Sequence, residues 1–434
     1  MYLLQNIDVK GFWEDKSINF DFYKDQNFVI GVNGSGKTTL INLIGSVLYA
    51  DFAVLDKIPF DSVTLTLVNA QNSNLVPIKI YVQKLLQKNS PYPDIILKVS
   101  KGKRTLFNLD LDQIEESNHF RYPTHIGRKM RRDWTAFANR YRINLKEIGI
   151  NPKWLTVNRF RLSNLRSDDS SSVSLVDQKL KEIEERLIRY FSSLDNLYHE
   201  LTEEFQKEIV KSLLFSQTSD EIANTIESIN IEEEKKSLDE IFTLLKVKKS
   251  DFSTQLTAYF NSFQTSWEKF MDAGISIEEA EFILGVRRIH FMVDEYRKLR
   301  KKQVEIFKYR NQFVKELNAL YMRKEIFINK KNEIKIRTTS GKEFNIHSLS
   351  SGEKQLLIIL GEALIHENKP YIFIADEPEL SLHLDWQEKL VLGLRNLNQN
   401  VQIIFATHSP DIVGQYENSI IEIEDLIKNE KKGK

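Results

Sequence analysis

The segment Gly31-Val32-Asn33-Gly34-Ser35-Gly36-Lys37-Thr38 places glycines, a lysine and a hydroxyl at the spacing G-x-x-x-x-G-K-[ST]. Glycines let the backbone curl until successive N–H groups face one anion, and a helix starting at the lysine adds the positive end of its dipole. This arrangement suits the phosphates of a nucleotide. Asn33, Gly34, Ser35, Gly36 and Thr39 would line the cradle, Lys37 would reach the β- and γ-phosphates, and the Thr38 hydroxyl would sit on Mg²⁺. A second reactive pair lies far along the chain, where the apolar run Tyr371–Ala375 ends in Asp376-Glu377-Pro378. Adjacent side chains at a strand end point to different sides, so the two carboxylates divide the work. Asp376 is the candidate Mg²⁺ partner, and Glu377 is the candidate general base that orients and deprotonates an attacking water.

The elements that must position these groups follow from the surrounding pattern. Phe28–Gly31, Tyr371–Ala375 and Val401–Ala406 are short apolar runs, and Ile18–Phe22 alternates; all four suit strands of a largely parallel, buried sheet. Residues 38–49 and 385–397 read as helices between them, which predicts α/β layering. All nine prolines fall in residues 1–152 or 370–410, and residues 153–340 hold only two glycines, Gly274 and Gly285. Such a stretch predicts a helical insertion. The expected division is 1–165 and 329–434 for the two parts of an α/β head, with the insertion at 166–328. Leu180, Ile183, Leu187, Tyr190, Leu194, Leu197 and Leu201 alternate steps of three and four, a heptad seam. Positions 289, 292, 296, 299, 303, 306, 310, 313, 317 and 320 keep the same alternation, with Gln303 and Arg310 as the polar members. Two such helices can fold back as an antiparallel hairpin of roughly 45 Å, or pack as amphipathic helices on a globular core. Ser276-Ile277-Glu278-Glu279 has the capping-box spacing that would start a helix in a small head between them.

Composition narrows the classes. The 434 residues carry 61 Lys+Arg and 61 Asp+Glu, so total charge gives no reason to expect nucleic acid. The charge is nonetheless segregated. Residues 121–166 hold twelve Lys/Arg against Asp133 and Glu147, with Trp134, Tyr141 and Trp154 interleaved. That face could track a phosphate backbone and stack on bases, or serve as a solvated or protein-docking face. Residues 175–245 are net −9 and residues 286–336 net +9, which favours pairing of the two arms. The absence of cysteine excludes disulfides, thiol nucleophiles and thiolate metal sites. No run reaches the ~18–20 apolar residues of a membrane span, and the N-terminus lacks a signal-peptide layout, so a soluble cytoplasmic chain is expected.

Further motifs carry a resemblance. Leu349-Ser350-Ser351-Gly352-Glu353-Lys354-Gln355 resembles the signature of ABC-type ATPases, Ala406-Thr407-His408-Ser409-Pro410 resembles their switch-histidine strand end, and Glu379–His383 falls at their D-loop. In this order the chain is similar to that family over residues 1–165 and 330–425, with the insertion where SMC-type repair ATPases insert a coiled coil. The run Glu377–His383 resembles RecF-like and OLD-like ATPases of prokaryotic defence and repair. The resemblance implies an ABC-type P-loop ATPase head with an inserted antiparallel arm, using ATP and Mg²⁺. It further implies a head-to-tail dimer in which Ser350, Ser351, Gly352 and Glu353 of one protomer cap the γ-phosphate held by the other, and His408 contacts that phosphate. His383 stands where the D-loop aspartate is usual, and the family's Mg²⁺-binding glutamine has two equal candidates, Gln71 and Gln83. The 26 residues after His408 leave no room for the nuclease domain of OLD-like proteins. A separate nuclease effector and a phage-encoded trigger are therefore expected, as in the ATPase subunits of two-gene anti-phage systems such as AriA of PARIS or PtuA of Septu, which the chain resembles. The alternative is a DNA-repair ATPase that binds DNA ends through 121–166.

Overall fold

The computed structural model describes residues 1–72, 74–85, 94–110, 126–156, 174–214, 230–273 and 277–429. In chain order, β1 (Tyr2–Phe12), β2 (Lys16–Asp21), β3 (Gln26–Ile30), α1 (Lys37–Tyr49), α2 (Phe52–Lys57), β4 (Ser62–Asn69), β5 (Ile78–Leu85), β6 (Asp94–Lys101), β7 (Arg104–Asp110), α3 (Ile126–Glu147) and β8 (Pro152–Thr156) come first. The long helices α4 (Leu175–Leu214), α5 (Ile231–Leu244), α6 (Lys249–Ala273) and α7 (Ile277–Leu320) follow. The chain then continues through β9 (Lys324–Ile328), β10 (Ile334–Thr338), β11 (Glu343–Asn345), α8 (Ser351–Ile365), β12 (Tyr371–Asp376), α9 (Leu384–Leu397), β13 (Val401–Ala406), α10 (Pro410–Val413), β14 (Ile420–Glu422), α11 (Ile423–Leu426) and β15 (Ile427–Asn429). Among the described residues no helix is long and apolar enough to cross a membrane.

The α/β P-loop class holds. Five strands form a parallel sheet in the order β14-β3-β13-β12-β8. Every residue of β12 and β13 is buried, which is why both read as unbroken apolar runs. Their register sets Asp376 opposite Ala406, and on the other side β8 ends with Thr156 opposite Asp376. Strand β3, from the start of the chain, lies against β13, so the phosphate loop and the carboxylate pair leave the same end of one sheet.

The expectation for Ile18–Phe22 is corrected. Lys16–Asp21 is antiparallel to β1, in a second sheet ordered β15-β2-β1-β4-β5-β6-β7. Only a short turn separates β1 from β2, too few residues for the crossover that parallel pairing needs. Alternation was the clue, since Ile18 and Phe20 face the core while Asn19 and Asp21 face solvent. Helix α1 has fully buried Leu40, Ile41, Leu43, Ile44, Val47 and Leu48, and the core around it takes in residues of both sheets, including Val9, Leu65, Ile374 and Ile404.

The chain divides into two compact units, Met1–Leu187 with Gln312–Lys434, and Ile188–Asn311. The expected insertion, 166–328, encloses the second unit with a margin at each end. The first turns of α4 stay with the α/β unit because Ile183 and Leu187 lie against Gly361 of α8. In the second unit Asp195 meets Arg310 at 3.5 Å, Tyr198 meets Phe307 at 5.7 Å between ring centres, and Phe205 meets Tyr296 at 6.1 Å. Rising numbers on α4 face falling numbers on α7, so the hairpin is antiparallel. Leu180, Ile183, Leu187 and Leu194 of the expected heptad are buried, but Tyr190, Leu197 and Leu201 are not. The inward line on α4 runs Phe191, Leu194, Tyr198, Thr202, Phe205 and Ile209, whereas Leu197 is 46% exposed. Steps of three, four and four make an 11-residue repeat of about 3.67 residues per turn, close to a straight helix. On α7 the expected Tyr296, Leu299, Phe313, Leu317 and Leu320 are buried, while Val293 and Phe307 are buried more deeply than the expected Met292 and Ile306. Ser276 of the proposed capping box lies outside the described residues, although α7 does begin at Ile277.

Urea unfolding of the full chain distinguishes the two seams. Phe191→Ala is expected to cost about 3–5 kcal/mol and Leu197→Ser less than about 0.5 kcal/mol, whereas a heptad seam predicts a core-sized loss at Leu197.

Candidate functional site

Strand β3 delivers the phosphate loop, which passes through left-handed backbone at Gly34 (φ +84°) and Gly36 (φ +102°) before α1 starts at Lys37. Gly36 is needed twice over, since a Cβ there would lie 2.8 Å from the Trp13 indole. Lys37 Nζ donates to the carbonyls of Gly31 (2.8 Å) and Val32 (3.0 Å). Burial pulls its ammonium below the ordinary lysine value, while Glu424, Glu377 and Asp376 pull the other way. A cleft of about 200 Å³ is lined by Trp13, Asn33, Gly34, Gly36, Lys37, Thr38, Thr39, Glu377 and His408. The structure thus brings the phosphate-loop candidates to one place with both catalytic candidates. Ser35 belongs to the same loop without lining the cleft.

The Thr38 hydroxyl donates to Asp376 Oδ1 at 3.1 Å. Asp376 is 5% exposed, and its carboxyl is pushed up to about 6, chiefly by burial; the Thr38 bond opposes this, and Glu377 and Glu379 add to it. One hydroxyl and one carboxylate at the foot of a phosphate cradle form the sparse hard-oxygen set that Mg²⁺ takes when phosphates and waters supply its other ligands. The donors present fit the ion.

Glu377 escapes strand alternation through a left-handed backbone (φ +47°), and its N–H donates to the Ala406 carbonyl at 2.8 Å. Such a residue costs about 1–3 kcal/mol and persists where neighbours over-determine it. Here Gln355 Nε2 holds the Pro378 carbonyl at 2.8 Å, and Glu379 accepts from Thr407 Oγ1 (2.6 Å) and from the His408 N–H (2.9 Å). His408 Nε2 stands 4.0 Å from Glu377 Oε1. Sequence reasoning missed Glu379 as the brace of the His408 backbone and Trp13 as a wall of the cleft. The signal for Glu379 was the β12–β13 register, which sets the turn after Asp376 beside Thr407. Trp13 sits in the β1–β2 turn at φ +54°, stacked on Phe12 at 4.8 Å, and nothing local in the sequence marks it.

Signature residues Ser350, Ser351, Gly352 and Glu353 do not line this cleft. Ser350 caps α8, its hydroxyl donating to Glu353 Oε2 (2.8 Å) and accepting from the Glu353 N–H (3.4 Å). Burial pushes the Glu353 carboxyl up, but Lys324 at 2.6 Å and Ser350 outweigh it and hold it below the ordinary range. A Cβ on Gly352 would meet the Ser381 carbonyl oxygen at 2.2 Å, so only glycine lets the signature loop abut the turn after Asp376. Gln71 is exposed beyond β4, and Gln83 pairs with Ser62 and Ile96 inside the antiparallel sheet; neither lines the cleft. The chain that leaves the sheet beside Asp376 is the one after Thr156, which lies outside the described residues.

The basic segment is partly corrected. Tyr141 is 1% exposed with its hydroxyl on the Val47 carbonyl, so it is not available to stack on bases, and the half-buried Trp154 packs its ring where a Cβ on Gly45 would stand. Lys153 faces buried Glu362 at 3.5 Å, as do Arg186 at 2.6 Å and Lys179 at 3.7 Å. The side chain of Trp134 and the stretches 121–125 and 157–166 lie outside the described residues.

The protein family described as "AAA domain, putative AbiEii toxin, Type IV TA system" matches residues 27–414. The chain is 27% identical over 216 residues to the "Retron Vc95 probable ATPase" of Vibrio cholerae serotype O1 biovar El Tor, a match covering 41% of this chain and 42% of that protein. It therefore spans less than half the length of that relative. Among solved structures it is similar to the Smc head domain with an extended coiled coil, bound to the C-terminal domain of ScpA, from Pyrococcus furiosus, at 13% identity and TM-score 0.43 over 95% of this chain and 91% of that one. The Smc head domain with a coiled coil and joint from Pyrococcus yayanosii shows 15% identity and TM-score 0.41 over 95% and 93% of the two chains.

Asp376 gives a test with a defined sign. Because its folded carboxyl binds a proton more tightly than the unfolded one, the folded state is favoured at low pH and loses stability as pH rises from about 4 to about 6. Asp376→Asn, which carries no charge, should melt a few degrees higher than wild type at pH 7 and lose Mg²⁺-dependent nucleotide binding. In the wild type that binding should weaken as pH falls through about 6.

Proposed function

Because the chain belongs to the AAA-domain family that matches residues 27–414, we propose that it is an ATP-hydrolysing switch of a prokaryotic anti-phage defence system. In this reading it acts in the cytoplasm, closes into a head-to-tail dimer on ATP and controls a separate nuclease effector. The observation that carries the proposal is the convergence of Lys37, Thr38, Glu377 and His408 on one cleft that the signature residues do not line, with Asp376 bonded to Thr38 behind it. Such a cleft is half a site. A second copy's Ser350 and Gly352, flanked by Ser351 and Glu353, complete it by closing over the γ-phosphate. Similarity to a retron ATPase and the run Asp376–His383, which with the short arm resembles AriA- and PtuA-type subunits, support the defence role.

The residues divide the chemistry by position. Lys37 and the N–H groups of the loop bind the phosphates, and Thr38 and Asp376 would hold Mg²⁺, which would supply charge neutralisation for the phosphoryl oxygens. Glu377, turned into the cleft by its left-handed backbone, orients the attacking water and takes its proton. Glu379 keeps the His408 backbone in place so that the imidazole, part of the cleft lining, meets the γ-phosphate. Loss of that phosphate removes what the second copy's cap holds, and the dimer opens.

Lys37→Ala should abolish ATP binding in equilibrium titration, and undiminished binding would sink the phosphate-loop assignment. Glu377→Gln should bind ATP normally, turn over at least about 100-fold more slowly and elute as a dimer with ATP, against a monomer without it. Purified from its native cell, Glu377→Gln should carry a nuclease. Salt-sensitive DNA binding that stimulates ATPase activity, with no nuclease attached, would instead establish the DNA-repair alternative.

A further inference from the structure

The last described segment of the chain crosses the phosphate loop. Strand β14 runs parallel to β3, pairing Ile420 with Phe28, Ile421 with Val29 and Glu422 with Ile30, and so accompanies the strand that delivers the loop. Ile423 is fully buried in the core, and β15 then pairs antiparallel with β2, Ile427 opposite Ile18, in the other sheet. Between these two anchors Glu424 is held over the start of the loop. Its Oε1 accepts from the Val32 N–H at 2.6 Å, and its Oε2 stands 2.5 Å from where a Cβ on Gly31 would be. From the other side, the carbonyls of the same two residues accept from Lys37 Nζ. Gly31 and Val32 are thereby clasped at their carbonyls by the phosphate-binding lysine and at an N–H by a carboxylate 392 residues along the chain.

We propose that Glu424 is a positioning residue of the nucleotide site: the β14–α11–β15 strap uses its carboxylate to set the phosphate loop, and hence Lys37, in the binding-competent shape before nucleotide arrives. The proposal rests on the reading of Lys37 and Thr38 as a nucleotide site. Two features favour a brace over a competing anion. The Val32 N–H belongs to the stem of the loop, and Val32 is absent from the cleft lining. The strap is also fixed on both sides by strand pairing, so the carboxylate is not on a free tail. A loop already shaped loses less entropy on binding, which appears as affinity. The same hydrogen bond from Val32 holds the Glu424 carboxyl below the ordinary carboxylate range.

Substitutions at this one position separate reach from charge, read by calorimetric titration with Mg·ADP, which needs no second copy. Glu424→Ala removes the acceptor, and Glu424→Asp keeps the charge but is one methylene short; each should raise Kd about tenfold, the scale of one charge-assisted hydrogen bond. Glu424→Gln keeps an acceptor at full reach and should stay within about threefold of wild type. Melting temperatures of the nucleotide-free variants should not follow this order, whereas a purely structural role would make affinity track them. If Glu424→Ala does not fold, the Asp–Gln comparison carries the test. Equal or tighter binding by Glu424→Ala or Glu424→Asp overturns the brace while leaving the nucleotide site intact; no binding by wild type overturns both.

Discussion

The hydrogen bond from the Thr38 hydroxyl to the Asp376 carboxylate joins residues 338 positions apart, and the rest of the α/β unit is arranged so that it can form. Strand β3 must end where β12 ends, and the sheet achieves this by placing β13 between them, so that strands from both ends of the chain share one parallel sheet. Helix α1 can leave the loop only because both sheets supply its apolar surroundings. Asp376 is buried at a cost that one hydroxyl does not fully offset, as its raised carboxyl value records. A cation held between Thr38 and Asp376 would relieve that cost.

Around that bond, the turn between β12 and α9 acts as a junction. It receives Gln355 from the signature helix at Pro378 and lets Gly352 abut Ser381, while Glu379 reaches Thr407 and His408. Gln387 of α9 donates to the Leu382 carbonyl and accepts from Ser409 Oγ, closing the circuit. Left-handed backbone at Glu377 and Ser381 is tolerated because these bonds leave the turn little freedom. The signature helix is tied at its start as well: Lys354 pairs with Asp177 at 2.7 Å, and the Tyr321 hydroxyl donates to the Glu353 carbonyl at 2.6 Å. Farther along, Glu362 meets Arg186. Burial alone would push that carboxyl up, yet Lys153 and Arg186 hold it below the ordinary range. The residues that lead into and out of the arm therefore grip the helix that carries the signature.

The arm shows where periodicity stops being informative. Steps of three and four are shared by heptads and 11-residue repeats for about two turns, and the difference accumulates only beyond that. Counting apolar residues favoured Leu197, but Tyr198 meets Phe307, because the inward face of a nearly straight helix drifts by one position over that distance. The same limit applies to the basic segment. Tyr141, Lys153 and Trp154 have the composition of a nucleic-acid surface, yet Tyr141 is a core aromatic, the half-buried Trp154 packs on Gly45 and Lys153 faces a buried acid.

Residue types and short-range spacing were enough to establish the phosphate loop, the Asp376–Glu377 pair, the β12 and β13 strands and the helical insertion, because each is a local pattern with a local physical cause. The glycines need left-handed backbone, the buried strands need unbroken apolar runs, and the insertion needs few turn formers. Everything that depends on which strands become neighbours had to come from the tertiary structure: the antiparallel placement of Lys16–Asp21, Trp13 as a cleft wall, Glu379 beneath His408, and Glu424 across the loop. The Glu379–Thr407 and Glu424–Val32 bonds join residues 28 and 392 positions apart, and the geometry of all these contacts is set by sheet order and register, which one-dimensional spacing does not encode.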